Sequence, residues 1–170
     1  IGSDREYLEF PRKALLDKAG RPTRVVSVPS MENFEAQDAA YKAGVLGKEN
    51  IRIAMAYFIP CQATQQALID ARARGVEVEI IVPNSRNNNR TARHMSRRHY
   101  GDLLKAGVRI FEYQPSMFHV KCLIVDDALV SVGSANMDER TFRHNDEANL
   151  NVLSPTFAAS QVRVFESDKQ

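Results

Sequence analysis

The segment from Phe118 to Val152 constrains the fold of this chain more than any other part of its sequence. Apart from one lysine, the residues from Val120 to Val125 are apolar and mostly β-branched, which favours a strand. The pair Asp126-Asp127 predicts a tight turn, and the apolar run from Leu129 to Val132 predicts a second strand. The segment is therefore expected to form a β-hairpin.

Alternation along the first strand of this hairpin sorts its side chains onto two faces. His119 and Lys121 are two residues apart, so both are expected on one face. The intervening residues then face the opposite side, where a core can take them: Val120, Cys122 and Ile124. A lysine turned inward is rare without a partner, and a bound phosphate would be a suitable partner for Lys121.

The return strand is expected to bring further polar groups towards His119. It leads into Ser134 and Asn136, and the acidic residue Glu147 follows. Histidine can attack phosphorus or transfer a proton, lysine can bind anionic oxygens, and serine and asparagine can donate further hydrogen bonds. Glu147 can orient the histidine. These residue types predict a site that handles a phosphate ester.

The spacing of these residues resembles the signature of the phospholipase D superfamily. The pattern is His-x-Lys, four residues, Asp, six residues, Gly-Ser-x-Asn, and it is met without gaps by His119, Lys121, Asp126, Gly133, Ser134 and Asn136. Three further segments resemble the bacterial cardiolipin synthases: 57–60, 107–115 and 145–147. The resemblance covers roughly the second two-thirds of the chain, and these motifs are long enough to be specific.

The resemblance implies a role for each site residue. His119 would be the nucleophile that forms a phosphohistidine or the general acid, while Lys121, Ser134 and Asn136 would bind the phosphate and Glu147 would hold the imidazole. Asp126 belongs to the candidate catalytic set, although a role in the turn and in ion pairing behind the site is the favoured alternative. Superfamily sites combine two motifs and this chain has one, so a second motif-bearing domain or a homodimer partner is expected.

Three functions are compatible with this pattern. The leading hypothesis is a phosphatidyl transferase or phospholipase that acts on anionic glycerophospholipids, with water or a second alcohol as acceptor. The alternatives are a homodimeric phosphodiesterase or nuclease and a non-catalytic phosphate-binding module. A net charge of only +2 and the lack of a lysine-rich groove with interleaved aromatic residues count against nucleic acid.

Composition and the spacing of possible metal ligands limit the domain number and the cofactors that we predict. The 170 residues, 44% hydrophobic and 26% charged, fit one domain with a real core. Cys61 and Cys122 are expected to be buried thiols, because each lies in an apolar or strand-like context. Neither a cofactor nor a metal is predicted, because Asp126-Asp127 alone is a poor cation site and ligand spacing is absent elsewhere.

The sequence has no apolar run long enough to span a membrane. It opens with Ile1 rather than methionine, from which we expect a fragment of a longer parent protein. By resemblance the parent would be bacterial and either associated with the inner membrane or cytoplasmic, and it could contact a membrane surface. The localisation of the fragment itself stays open.

The predicted fold class is α/β, with a mixed β-sheet flanked by helices on both faces. Residues 1–33 are expected to be a linker or the tail of a preceding domain with an edge strand at 24–28, and residues 34–170 a phospholipase D-like catalytic domain. Strands are predicted at 51–58, 76–82, 108–113 and 148–153, beside the hairpin, and helices at 36–46, 62–74, 89–106 and 155–165. By analogy with other α/β proteins, the site should lie at the carboxyl edge of the sheet.

Overall fold

A computed structural model describes residues 15–16, 22–30, 46–85, 90–137 and 147–169 of the chain. Within these residues one mixed sheet has eight strands in the order β1-β2-β8-β7-β6-β3-β4-β5. The strands are β1 (Leu15–Leu16), β2 (Pro22–Ser30), β3 (Asn50–Met55), β4 (Glu77–Pro83), β5 (Arg109–Tyr113), β6 (Lys121–Val125), β7 (Leu129–Gly133) and β8 (Glu147–Leu153). The helices are α1 (Gln62–Ala73), α2 (Arg90–Lys105) and α3 (Pro155–Asp168).

Helices cover both faces of the sheet, which confirms the predicted α/β architecture. β3, β4 and β5 run parallel, and β6, β7, β8 and β2 continue the sheet in antiparallel pairs. One core cluster joins Ile53, Ile80 and Leu123 to Leu68 of α1 and Leu103 of α2. A second core cluster packs the opposite side chains of the sheet against α3, and its buried members include Ala54, Ile81, Ile124, Val130, Ala158 and Phe165.

The predicted elements from residue 51 onwards are present, with ends shifted by a few residues. The predicted edge strand is longer than expected, and it is flanked on both sides because β2 pairs with β1 and with β8. Its pairing with β8 runs from Arg24 opposite Leu153 to Ser30 opposite Glu147, so this part of the predicted linker is a strand of the sheet. The helix predicted at 36–46 lies outside the described residues except for Leu46. The boundary at residue 34 stays a prediction.

The turn between β6 and β7 is tight, because only residues 126–128 connect Val125 to Leu129, which pair with each other. Asp126 and Asp127 have φ values of 50° and 49°, and the Ala128 N–H donates to the Val125 carbonyl at 3.1 Å. Positive φ at both central residues matches the twist of the flanking strands, and aspartate tolerates this conformation better than most residues. One expectation was wrong: Val120 is 38% exposed, because it precedes the strand and lies at the rim of the sheet.

Candidate active site

Most of the predicted site residues lie at one edge of the sheet, where β3 ends. β6 runs antiparallel to β3, and Lys121 at its start pairs with Met55. β7 ends at Gly133, which pairs with Asn149 near the start of β8. β4 and β5 are parallel to β3, so their carboxyl ends reach the same edge. This is the edge at which the sequence predicts the site.

His119 and Lys121 lie together at this edge. The Lys121 ammonium nitrogen is 2.9 Å from Nδ1 and 3.1 Å from Nε2 of His119, and it donates to the His119 carbonyl oxygen at 3.1 Å. Lys121 is buried, whereas His119 is exposed just before β6. An ammonium group only donates, so the ring nitrogen that accepts from it carries no proton. The pair therefore places an ammonium group that can bind an anionic oxygen against the imidazole ring of His119.

The segment after β3 packs beside the histidine. The rings of Tyr57 and His119 meet edge to face, with centroids 6.3 Å apart and planes at 84°. The Ala56 N–H donates to the Val120 carbonyl at 2.8 Å, and the Met137 N–H donates to the Tyr57 carbonyl at 3.1 Å. These bonds hold the backbone around His119. Sequence reasoning used Tyr57 only for a resemblance, because a single aromatic residue after a strand has no diagnostic spacing.

Ser134 and Asn136 follow β7 and return to the His119 end of the hairpin. Ser134 is exposed, and Asn136 is half-buried. The side-chain oxygen of Asn136 is buried and has no hydrogen-bond partner within the described part of the chain. Buried amides normally have partners, and a half-turn of the carboxamide would present a donor instead of an acceptor. Asn136 can therefore offer a hydrogen bond to a ligand at this edge.

Glu147 is the first residue of β8. Because Gly133 pairs with Asn149, the start of β8 lies at the same edge as the end of β7. The backbone thus carries Glu147 to the edge that holds His119. The predicted role of its carboxylate in orienting the imidazole stays a prediction.

Asp126 lies at the opposite end of β6, roughly 20 Å from His119 by the rise of a strand. Its carboxylate accepts hydrogen bonds from the backbone N–H groups of Lys48, Glu49 and Asn50, at 3.1, 2.8 and 3.1 Å. Partial burial raises the pKa of Asp126, but these backbone hydrogen bonds outweigh it and hold the pKa below 3.8. The structure does not bring Asp126 to the other candidates, and its contacts fit the structural alternative.

A recess beneath the histidine extends between β3, β6, β7 and β8. Its lining combines apolar side chains with a few polar ones: Met55, Lys121, Cys122, Leu123, Ser131, Ala135, Met137 and Asn149. Sequence reasoning missed Ser131 and Asn149. The available signal was alternation, because Asn149 follows Glu147 by two residues and Ser131 interrupts an apolar strand.

Among the residues described, no cluster of three or more histidine, cysteine, aspartate or glutamate side chains could hold a metal ion. No helix described is both long and apolar enough to cross a bilayer. Neither cysteine forms a disulfide; Cys122 is buried and Cys61 is half-buried.

A family model described as "Cardiolipin synthase, PLD-like domain" matches residues 46–169, which is most of the chain. The chain belongs to the phospholipase D-like family. This match confirms the resemblance inferred from the motif. A second model, for a transketolase-like C-terminal domain, matches residues 8–83, which is under half of the chain. That stretch includes β3, α1 and β4, a β–α–β unit common to many unrelated folds.

The curated relatives include several bacterial cardiolipin synthases. The chain is 36% identical over 139 residues to minor cardiolipin synthase ClsB of Bacillus subtilis, covering 82% of this chain and 33% of that protein. It is 38% identical over 120 residues to cardiolipin synthase A of Pseudomonas aeruginosa, covering 71% of this chain and 24% of that protein. The chain thus spans a third or less of the length of these relatives.

Solved structures share the fold. Nuc, a phospholipase D family member from Salmonella typhimurium, superimposes with a TM-score of 0.69 at 23% identity, covering 86% of this chain and 93% of that one. For NucT from Helicobacter pylori the TM-score is 0.69 at 20% identity, covering 86% of this chain and 95% of that one. For phosphatidylserine synthase from Haemophilus influenzae the TM-score is 0.66 at 17% identity, covering 88% of this chain and 39% of that one.

Proposed function

We propose that this chain supplies half of the active site of a phosphatidyl transferase or phospholipase D-type enzyme that acts on anionic glycerophospholipids. The observation that carries the proposal is the contact between the Lys121 ammonium and the His119 imidazole, at the edge to which β7 returns Ser134 and Asn136. Cardiolipin synthases at 36% and 38% identity support a lipid substrate.

The reaction would proceed in two steps. One histidine nitrogen attacks phosphorus, the ester bond to the leaving alcohol breaks, and a second histidine gives the leaving oxygen its proton. In the second step, water or another alcohol gives a proton to that second histidine and attacks phosphorus, which breaks the phosphorus–nitrogen bond. The choice of acceptor separates a hydrolase from a transferase.

The neighbours of His119 would stabilise the charge that develops on phosphorus. Lys121 reaches the imidazole in this structure, and an arriving phosphodiester would draw the ammonium from the ring to a nonbridging oxygen and free the ring nitrogen to react. Ser134 and Asn136 would bind the remaining oxygens. Glu147 would accept a hydrogen bond from the other ring nitrogen and so select the reactive tautomer.

A second motif has to complete this site. The other histidines of the chain, His94, His99 and His144, have no lysine two residues later. The second histidine would therefore come from another domain, as the greater length of the cardiolipin synthases suggests, or from a second copy of this chain. A membrane surface is the expected source of the lipid.

A homodimeric phosphodiesterase is the second candidate function. One observation favours it: Nuc and NucT are covered over 93% and 95% of their own chains, so proteins of this fold exist at about this size. In that case two copies of His119 would face each other.

The test combines light scattering with two substrates. The protein is measured as a monomer, as any dimer it forms, and joined to a second motif-bearing domain, each with phosphatidylglycerol vesicles and with single-stranded DNA. Turnover of phosphatidylglycerol by assemblies with two motifs is expected. Turnover of DNA alone would favour the phosphodiesterase, and phosphate binding without turnover would favour a binding module.

Replacement of His119 tests the site directly. We expect His119→Ala to lower turnover by about 10²–10⁴-fold or more, because the variant loses the nucleophile or the general acid. The matched control is His94→Ala, which removes an exposed histidine of α2 and should leave turnover unchanged. Near-normal turnover by His119→Ala in a two-motif assembly would refute the assignment.

A further inference from the structure

Three polar side chains line the recess below His119. Lys121, Ser131 and Asn149 are 8%, 7% and 8% exposed, so each is more than nine-tenths buried. Most of the remaining lining is apolar: Met55, Cys122, Leu123, Ala135 and Met137. Polar groups in such surroundings cost free energy unless they are hydrogen-bonded, so three of them in one recess require a reason.

The sheet register brings Asn149 towards Lys121. Cys122 pairs with Val132, which places Lys121 opposite Gly133, and Gly133 pairs with Asn149. Neighbouring strands are about 4.8 Å apart, so the Cα atoms of Lys121 and Asn149 flank Gly133 at about 10 Å. Glycine adds no side chain between them, and the flexible lysine stem and the asparagine side chain can bridge that distance only together.

Ser131 occupies the next row of the same face, beside Leu123. Within the described part of the chain, neither the Ser131 hydroxyl nor the Asn149 carboxamide forms a hydrogen bond with the protein. Both groups can accept from an ammonium, which has three donors. The recess therefore holds acceptors below the lysine, on the side away from the exposed histidine.

We propose that Asn149, with Ser131, is a positioning residue that holds the Lys121 ammonium when the lysine turns from His119 to the substrate phosphate. The hydrogen bond is direct or passes through one water molecule. Asn149 does not touch the substrate. It acts by keeping the ammonium charged and aimed at the nonbridging oxygen, and this role rests on the proposed function.

The test compares two asparagines of β8. Asn149→Leu replaces the carboxamide in the recess by an apolar side chain of the same branched shape. Asn151→Leu makes the same change two residues later, at a half-buried position that does not line the recess. We expect kcat to fall about tenfold to 100-fold for Asn149→Leu, the effect of losing one hydrogen bond to a charged group. Asn151→Leu should stay near wild type.

A pH profile separates positioning from a general loss of stability. Loss of the acceptor that Asn149 is proposed to supply makes the buried ammonium of Lys121 less stable, so the alkaline limb of the kcat profile should move to lower pH. Asn149→Asp keeps the volume and adds a negative charge, so it should move that limb to higher pH. If Asn149→Leu lacks a cooperative unfolding transition and so is not folded, the pH profile of Asn149→Asp tests the proposal instead.

Binding of inorganic phosphate, measured by calorimetry, is independent of turnover. A weaker affinity for phosphate in Asn149→Leu than in Asn151→Leu supports the proposal. This holds even if the protein turns over no lipid, because the absence of lipid turnover would refute only the proposed function. Wild-type kcat, pH profile and phosphate affinity in Asn149→Leu, or equal losses in the two leucine variants, would overturn it. An unshifted limb in Asn149→Asp would do the same.

Discussion

Adjacent residues of β6 meet opposite environments, because their side chains leave the strand on opposite faces. Lys121 contacts His119 and lines the polar recess, whereas Cys122 belongs to the second core cluster with Ile124 and Val130. Burial in that cluster raises the pKa of the Cys122 thiol to about 11. The side chain that is proposed to bind the substrate phosphate is thus held in place by an inert neighbour that is anchored in the core.

The two cysteines should differ in reactivity. At pH 8 a thiol with a pKa near 11 is only about one-thousandth thiolate, and Cys122 is also buried, so we expect Cys122 to resist a disulfide reagent in the native protein. Cys61 is half-buried and should react first. Thiol titration with peptide mapping measures this, and both should react together in denaturant. Equal native rates would contradict the burial of Cys122.

The β6–β7 hairpin is fastened to the rest of the sheet at its turn. The Asp126 carboxylate binds the backbone N–H groups just before and at the start of β3, and the Asp126 N–H donates to the Asn50 carbonyl at 2.9 Å. This end of the hairpin is held while the opposite end carries His119 and Asn136. The motif aspartate thus positions the element without reaching the site.

Replacement of Asp126 should therefore affect stability. We expect Asp126→Ala to lower the free energy of unfolding by about 1–2 kcal/mol, because it leaves backbone donors with water as their only partner. The folded-state pKa is below 3.8, so the contribution is present above that pH and is lost as pH falls through the folded pKa. Urea titrations at pH 7 and pH 3 measure both effects.

An equal difference between Asp126→Ala and wild type at the two pH values would contradict this assignment. Asp126→Asn provides the control, because it keeps an acceptor of the same size without the charge. Its free energy of unfolding at pH 7 should lie between those of the wild type and Asp126→Ala.

A network of charged side chains joins the neighbouring strands β3, β4 and β5 to the end of α3. Glu79 of β4 is 3% exposed. Its carboxylate oxygens lie 3.6 Å from Nε of Arg52, 3.1 Å from a guanidinium nitrogen of Arg109 and 2.9 Å from Nζ of Lys169. Burial alone would lower the pKa of Lys169, but the hydrogen bonds that its ammonium donates to Glu166 and Glu79 raise that pKa. The network thus fixes the end of α3 against the sheet, away from the edge that holds His119.

Removal of Glu79 should destabilise the protein strongly. We expect Glu79→Ala to lower the free energy of unfolding by about 2–3 kcal/mol, because Arg52 and Lys169 lose their shared buried carboxylate and keep only half-exposed partners. The matched control is Glu77→Ala on the same strand, whose ion pair with Arg109 is exposed at 3.3 Å and should contribute under about 1 kcal/mol. Chemical denaturation of both variants measures the difference, and similar costs would refute the role of the network.

The hairpin, the α/β class and the pairing of His119 with Lys121 could all be predicted from the sequence. Each depends on residues close together along the chain, where alternation and turn propensity are enough. The position of β2 could not be predicted, because its neighbour β8 lies more than a hundred residues away and no local pattern records that pairing.

The candidate site divides in the same way. The residue types and their spacing predict phosphate chemistry at His119, Lys121 and Asn136, because that motif is local, and this chemistry stays a prediction. Only the three-dimensional structure separated Asp126 from the site, since a strand length and three backbone donors from another segment decide where its carboxylate lies. The same holds for Asn149, which comes near Lys121 only because β7 places a glycine between them.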